Sequence, residues 1–155
     1  MRALSQAEQE FLAGHRVARL ATADAQGQPF VVPICYLFEG GVFYSALDEK
    51  PKSVAPTHLK RVRNILANPQ VGLVIDDYAE DWSRLAYIQI RGLAALVNPG
   101  AEEHAAAIRL LRAKYPQYRQ MAIEQQPVLR ITPTSIVSWG QPLSGSSGLG
   151  DGLQS

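Results

Sequence analysis

A single cysteine, Cys35, stands in 155 residues, so no internal disulfide can form and packing alone must hold the fold. One unpaired cysteine fits a reducing compartment. Charge of one sign is also missing: 15 basic against 14 acidic side chains leave a net +1. With no global field to recruit nucleic acid or a membrane surface, neither is expected as a partner. No apolar run approaches the roughly 18 residues that a membrane span needs. Glu8 and Glu10 interrupt the opening segment, which a signal-peptide core would not tolerate. The expected location is therefore cytoplasmic.

Histidine is scarce. His15, His58 and His104 lie far apart, with no i, i+4 pair and no cysteine partner, so a zinc site is not expected. Asp76-Asp77-Tyr78-Ala79-Glu80-Asp81 lacks the alternation and glycine of a calcium loop and reads as a solvated loop. No Gly-x-Gly-x-x-Gly, phosphate loop or nucleophile elbow occurs, which argues against a Rossmann dinucleotide site and covalent serine catalysis.

The 46% of hydrophobic residues is enough for one core in one domain. Ser5-Gln6-Ala7-Glu8 reads as a capping box opening a short helix that Gly14 stops in a left-handed turn. Strand texture follows at 17–23, 30–38 and 42–47, with turn formers between. Short turns imply antiparallel neighbours, so these three strands read as a meander. Thr57 is a candidate N-cap for a helix to Ala67 with Leu59, Val62, Ile65 and Leu66 on its apolar face. Further strands are expected at 71–76, 84–97 (bending at Gly92), 128–131 and 135–139. A helix is expected at 102–114, with Ala106, Ile108, Leu110 and Leu111 apolar, and a shorter one at 115–125. Seven mainly antiparallel strands with a helix inserted after the third suggest a barrel with helices outside. Residues 1–139 form the expected domain, and the Gly/Ser-rich 140–155 an expected disordered tail.

The densest chemical signal runs from Lys50 to Arg63. Lys50, Lys52, Lys60, Arg61 and Arg63 are five of the chain's 15 basic residues in 14 positions, with His58 besides and no acid. A helix begins there, and its free N–H groups and dipole favour an anion. Arginine forks and lysine point charges are the usual grips on phosphate. The same run also reads as a solvated helix face.

The chain order around this run resembles a known family. Ala18-Arg19-Leu20-Ala21-Thr22, Gly27-Gln28-Pro29 and Val31-Val32-Pro33 precede Phe43-Tyr44-Ser45-Ala46, the basic run, and Asn68-Pro69-Gln70-Val71. Together they resemble the flavin and deazaflavin oxidoreductases of the pyridoxamine 5'-phosphate oxidase-like class. Lys50-Pro51-Lys52 and Glu80-Asp81-Trp82-Ser83-Arg84-Leu85 look like its coenzyme F-420 subgroup. The resemblance covers about 18–139. It implies a mainly β fold with added helices: a split β-barrel, an antiparallel Greek key, working as a homodimer with the cofactor between subunits. Ser45, Arg61 and Asn64 would hold the phosphate, Lys50, Lys52 and Lys60 would border the same pocket, and Val32-Pro33 would lie against the ring system. Trp82 would either cover a flat ring or pack in the dimer. The segment from Lys52 to Lys60 is longer than usual in the subgroup, and Arg61 stands where many relatives have lysine.

The implied activity is hydride transfer from a reduced deazaflavin to a small organic substrate, with no catalytic residue assigned. FMN on the same fold is one alternative, although five basic residues suit the carboxylate-rich F-420 tail better. A non-catalytic flavin or haem carrier is another; haem-handling relatives use a histidine near the C-terminus, and here the last is His104. Ser138-Trp139-Gly140 lacks the arginine-bearing terminal motif of true pyridoxamine-phosphate oxidase. Trp139 and Cys35 read as packing residues.

Overall fold

A computed structural model describes residues 1–47 and 59–144. Helix α1 (Gln6–Gly14) opens with the expected capping box, Glu8 N donating to Ser5 Oγ at 3.1 Å and Ser5 N to Glu8 Oε1 at 2.8 Å. Gly14 is not left-handed: the chain leaves the helix through an extended His15 at φ −96°. That end is tied by a side chain, since His15 Nδ1 lies 2.7 Å from the Phe11 carbonyl.

Among the described residues, seven strands follow: β1 (Ala18–Ala23), β2 (Pro29–Ile34), β3 (Leu37–Glu39), β4 (Val42–Ala46), β5 (Gln70–Asp77), β6 (Ala86–Val97) and β7 (Val128–Trp139). Helix α2 (Lys60–Ala67) precedes β5, and α3 (Glu102–Lys114) lies between β6 and β7. Three differences from the sequence reading matter. The segment 30–38 is two strands, because Cys35-Tyr36 leaves the ladder; the inserted helix thus follows the fourth strand. The two short strands expected at the end are one, as the ladder with β6 continues through Pro133. The stretch 115–125 holds two 3-10 turns rather than a helix, the first opened by Pro116.

The expected meander holds only in its two turn-linked pairs, β1 with β2 and β3 with β4, which lie at opposite edges of the sheet. Strand order is β2-β1-β5-β6-β7-β4-β3, with every neighbouring pair antiparallel. Strands β2 and β3 are consecutive in the chain yet occupy opposite edges of the sheet. The three Cα steps from Ile34 to Leu37 reach at most about 11 Å. In a flat sheet seven strands wide, six spacings of about 4.8 Å would separate the edges by about 29 Å. The sheet must therefore roll until its edges meet. The result is the split β-barrel, sealed along one side by the Cys35-Tyr36 link.

Alternation along the strands fills the barrel. In β6, Ala86, Ile88 and Ile90 point inward while Tyr87, Gln89 and Arg91 face out. The register shifts between Arg91 and Gly92, the expected bend. A Cβ on Gly92 would sit 2.7 Å from the Thr132 carbonyl oxygen, so the close approach of β7 requires glycine. The β3–β4 hairpin turns on Gly40 and Gly41, both at positive φ. Leu20, Ile75, Ile88, Ile90, Leu129 and Ile131 are buried in the main core. Helix α2 adds Val62 and Ile65 to it, whereas Leu66 points outward at 61% exposure. A second cluster lies under α3, where Ala107, Ile108 and Leu111 meet Val97 and Val128; Ala106 and Leu110 are only half-buried.

The fold does not stop at Trp139. Gly140 takes φ +117°, and a 3-10 turn at Gln141–Leu143 follows, with Leu143 buried in the main core beside α1. Expected tail residues 145–155 and the expected N-cap Thr57 lie outside the described residues. Among the described residues, no helix is long and apolar enough to cross a membrane.

Candidate functional site

The seam of the barrel is also where the candidate site residues gather. A cleft of about 150 Å³ opens there, lined by Val17, Pro33, Ile34, Cys35, Ser45, Ala46 and Arg61. Strand β2 ends on one side, β4 passes on the other, and α2 brings Arg61 across the top. Arg61 is 7% exposed, on the first turn of an amphipathic helix whose Val62 and Ile65 fix its rotation. A buried guanidinium is costly to desolvate, so its presence on a cleft wall is informative. Among the described residues, no acidic side chain lines the cleft.

Three residues singled out from the sequence thus meet: Pro33, Ser45 and Arg61. The others divide. Ser45 Oγ donates to the Cys35 carbonyl at 2.8 Å, so its proton holds the seam instead of pointing at a ligand. Asn64, 2% exposed, does not line the cleft; its Nδ2 donates to Thr22 Oγ1 at 2.9 Å and pins α2 to β1. Val32 packs against the core. Lys60 is partly exposed, with Nζ 3.9 Å from Asp24 Oδ2. Trp82 is 72% exposed on a 3-10 turn next to Gln141–Leu143, and does not line the cleft. Lys50 and Lys52 lie outside the described residues.

Behind the cleft, a tyrosine pair that sequence reading missed braces the Cys35-Tyr36 link. Tyr36 N donates to Tyr115 Oη at 2.9 Å. The single Tyr115 hydroxyl proton faces two carbonyls, Tyr36 O at 2.7 Å and Arg16 O at 2.8 Å. Tyr36 Oη in turn donates to the Leu12 carbonyl at 2.5 Å. Burial raises both phenols, Tyr115 to about 12, so each stays a neutral donor. Lys114, next to Tyr115, places Nζ 4.0 Å from the Tyr36 ring centroid, and burial pushes its ammonium down to about 8. The signal available in sequence was slight: Lys114-Tyr115-Pro116 reads only as a helix end.

Along this edge, Pro29 and Pro33 lie four residues apart in β2, so they fall on the same rim of a strand that pairs with β1 alone. Neither has an N–H, so the outward rim of β2 is poor in donors and blunted against another strand.

The geometry can be set beside known proteins. The fold matches the heme storage protein HutZ from Vibrio cholerae at TM-score 0.71, with 18% identity over 89% of this chain and 95% of that one. An FAD-binding protein from Mesorhizobium loti matches at TM-score 0.66 and 23% identity, covering 88% of this chain and 93% of the other. An F420 reductase matches at TM-score 0.60 and 22% identity, covering 83% and 94%. No curated protein sequence matches. The family model for pyridoxamine 5'-phosphate oxidase matches residues 4–140, spanning every strand of the barrel and the whole seam. The chain belongs to the pyridoxamine 5'-phosphate oxidase family.

Proposed function

We propose that the chain is an oxidoreductase that binds coenzyme F-420 in the seam cleft and reduces a small organic acceptor, with FMN the alternative cofactor on the same site. The observation that carries this reading is Arg61: a buried guanidinium on the wall of the seam cleft, beside Pro33 and Ser45. Such a group is suited to a phosphate, which accepts its forked donors and offsets its desolvation. A bound deazaflavin or flavin would supply the hydride chemistry, leaving the protein to orient and exclude water. Arg61 would hold the phosphate, Pro33 and Ile34 would offer an apolar wall, and Ser45 would keep the wall in place. Lys50 and Lys52 are proposed to meet the carboxylate tail of F-420, a group that FMN lacks.

A homodimer is part of the proposal. The cleft of about 150 Å³ is smaller than the roughly 300–1,000 Å³ usual for ligand sites, so one subunit offers part of a site. The outer face of β6 and β7 exposes Tyr87, Val137 and Trp139, with the two rings stacked at 5.8 Å, a surface suited to a second copy. Among the described residues, which leave out His58, a histidine-ligated haem finds less support. His104 is buried with Nε2 on the Gln126 carbonyl at 2.7 Å, and both ring nitrogens of His15 are engaged.

The test is a fluorescence titration of F-420 and FMN against wild type, Arg61→Met and Arg61→Lys, with light scattering on the same samples. Because Arg61 is buried, methionine is preferred to alanine: it keeps the apolar stem and removes the charge. Loss of a charge-assisted bond worth about 1.5–3 kcal/mol weakens affinity roughly 10- to 150-fold, and lysine loses less. The expected mass is twice the 17.0 kDa chain. No binding of either cofactor by wild type, or equal binding by Arg61→Met, would overturn the reading.

A further inference from the structure

We propose that Arg16 and Lys114, which bracket the ring of Tyr115, form a second anion site that takes a small organic carboxylate at the rear of the cleft. Arg16 Nη1 donates to the Lys114 carbonyl at 2.6 Å, so the two residues are fastened together by backbone and side chain. Their cationic centres lie 5.7 Å and 5.4 Å from the Tyr115 ring centroid. Neither enters an ion pair among the described residues, although five other lysine and arginine side chains do.

Lys114 Nζ is the sharper anomaly. It is buried and, among the described residues, has no hydrogen-bond partner, although an ammonium carries three donors. Its contacts are the faces of Tyr36 and Tyr115, and a cation–π contact is worth only about 0.5–2 kcal/mol. The groups that act on it electrostatically are Arg16, which disfavours its charge, and Cys35, which favours it. The hydroxyls of Tyr36 and Tyr115 are already bonded to backbone and stay neutral. Among the described residues, the two cations are thus held together with no carboxylate beside them, an arrangement an incoming anion would stabilise.

Position supplies the link to the cleft. Val17 follows Arg16 and Cys35 precedes Tyr36, and both Val17 and Cys35 line the cleft. Arg16 is exposed and would meet the anion first; the Lys114 stem is long enough to swing Nζ off the Tyr36 ring towards it. The buried tyrosine rings beside the two charges make the surroundings apolar, which favours a singly charged organic carboxylate over the more strongly hydrated inorganic phosphate. The pair is separate from Arg61, so this site stands whichever cofactor the cleft holds. It would make the acceptor an acidic one.

The experiment uses the full chain without cofactor, labelled with ¹³C at lysine Cε, the Lys114 resonance being the one missing from Lys114→Met. Alone, that resonance titrates near pH 8; saturating benzoate moves the midpoint up by at least one pH unit, because the anion binds the charged amine. Benzoate affinity falls about tenfold between pH 7 and pH 9, as protonated Lys114 is depleted. It falls tenfold or more in Lys114→Met and in Arg16→Gln, each first confirmed folded by its thermal transition. A Lys114 midpoint indifferent to benzoate, or undiminished binding by Lys114→Met, overturns the site. Equal effects of inorganic phosphate overturn the carboxylate assignment. F-420 and FMN titrations of Lys114→Met, expected to match wild type, separate failure of this site from failure at Arg61.

Discussion

Glu8→Gln tests whether one buried carboxylate locks the N-terminus onto the barrel. Glu8 is 3% exposed and accepts from four groups: both Arg2 Nη atoms at 2.9 and 2.7 Å, Ser5 N at 2.8 Å, and Ser138 Oγ at 2.5 Å. A cap residue of α1 thereby grips the far end of β7. The Arg2 guanidinium leads the causes that hold its carboxyl down at about 2, from an ordinary 4.5. At 1.36 kcal/mol per unit, that displacement corresponds to about 3 kcal/mol of folding stability. Arg2 is about half-exposed, so solvent screening reduces the figure to about 2 kcal/mol. A depressed carboxylate contributes fully above its unfolded value and loses the contribution as pH falls through its folded one. Wild type should therefore lose this stability between pH 4.5 and about 2. Urea unfolding of wild type and Glu8→Gln, followed at several pH values, reads the difference. The expected gap is about 2 kcal/mol at pH 7, shrinking towards zero near pH 2. A gap that stays constant across that window would show that lost packing, not ionisation, is responsible.

Gly140→Ala should destabilise by more than about 2 kcal/mol, because φ is +117° and the new Cβ would sit 2.2 Å from the Leu85 carbonyl oxygen. A thermal transition within a degree of wild type would mean that the turn seating Leu143 re-forms elsewhere. Ser45→Ala should cost about 1 kcal/mol by freeing the Cys35 carbonyl, yet weaken FMN less than roughly threefold. Comparing its melt with its FMN titration decides between a seam residue and a phosphate ligand; a tenfold loss of affinity would restore the second role.

Much of the fold was legible because its signals are local. The capping box at Ser5 and Glu8, the glycine turn at Gly40-Gly41 and the bend at Gly92 follow from residue chemistry within a few positions. The motif order around Arg61 located the family and three residues of the cleft. Long-range pairing was not legible. Nothing in Phe30 to Phe38 announces that Cys35-Tyr36 abandons one edge for the other, since both flanks are equally strand-like. Leu66 shows the limit of periodicity: it continues the apolar pattern of α2, but the short helix turns it to solvent. Asn64 and Ser45 show a second limit. A polar side chain at a motif position can spend its hydrogen bonds on the fold, as Asn64 does on Thr22 and Ser45 on Cys35. Tyr115 was invisible because its partners, Arg16 and Tyr36, are 99 and 79 residues away.

The place of the cleft follows from how the barrel closes. Interior strands satisfy their ladder on both sides, but β2 and β3 each keep one unpaired rim where the rolled sheet meets itself. Ordinary backbone pairing is weakened along that rim, because Pro29 and Pro33 remove donors from β2. Side chains close it instead, with Ser45 and Tyr115 holding the link while α2 lays Arg61 over it. The seam is thus the part of the barrel where side chains, not ladder bonds, set the shape of the wall. Its residues can vary while the ladders from β1 to β7 stay intact, which leaves the fold's chemistry to be written there. Replacing Arg61 on the cleft wall should therefore change what the barrel binds more readily than whether it folds, and replacing Ile88, Ile90 or Ile131 should do the reverse.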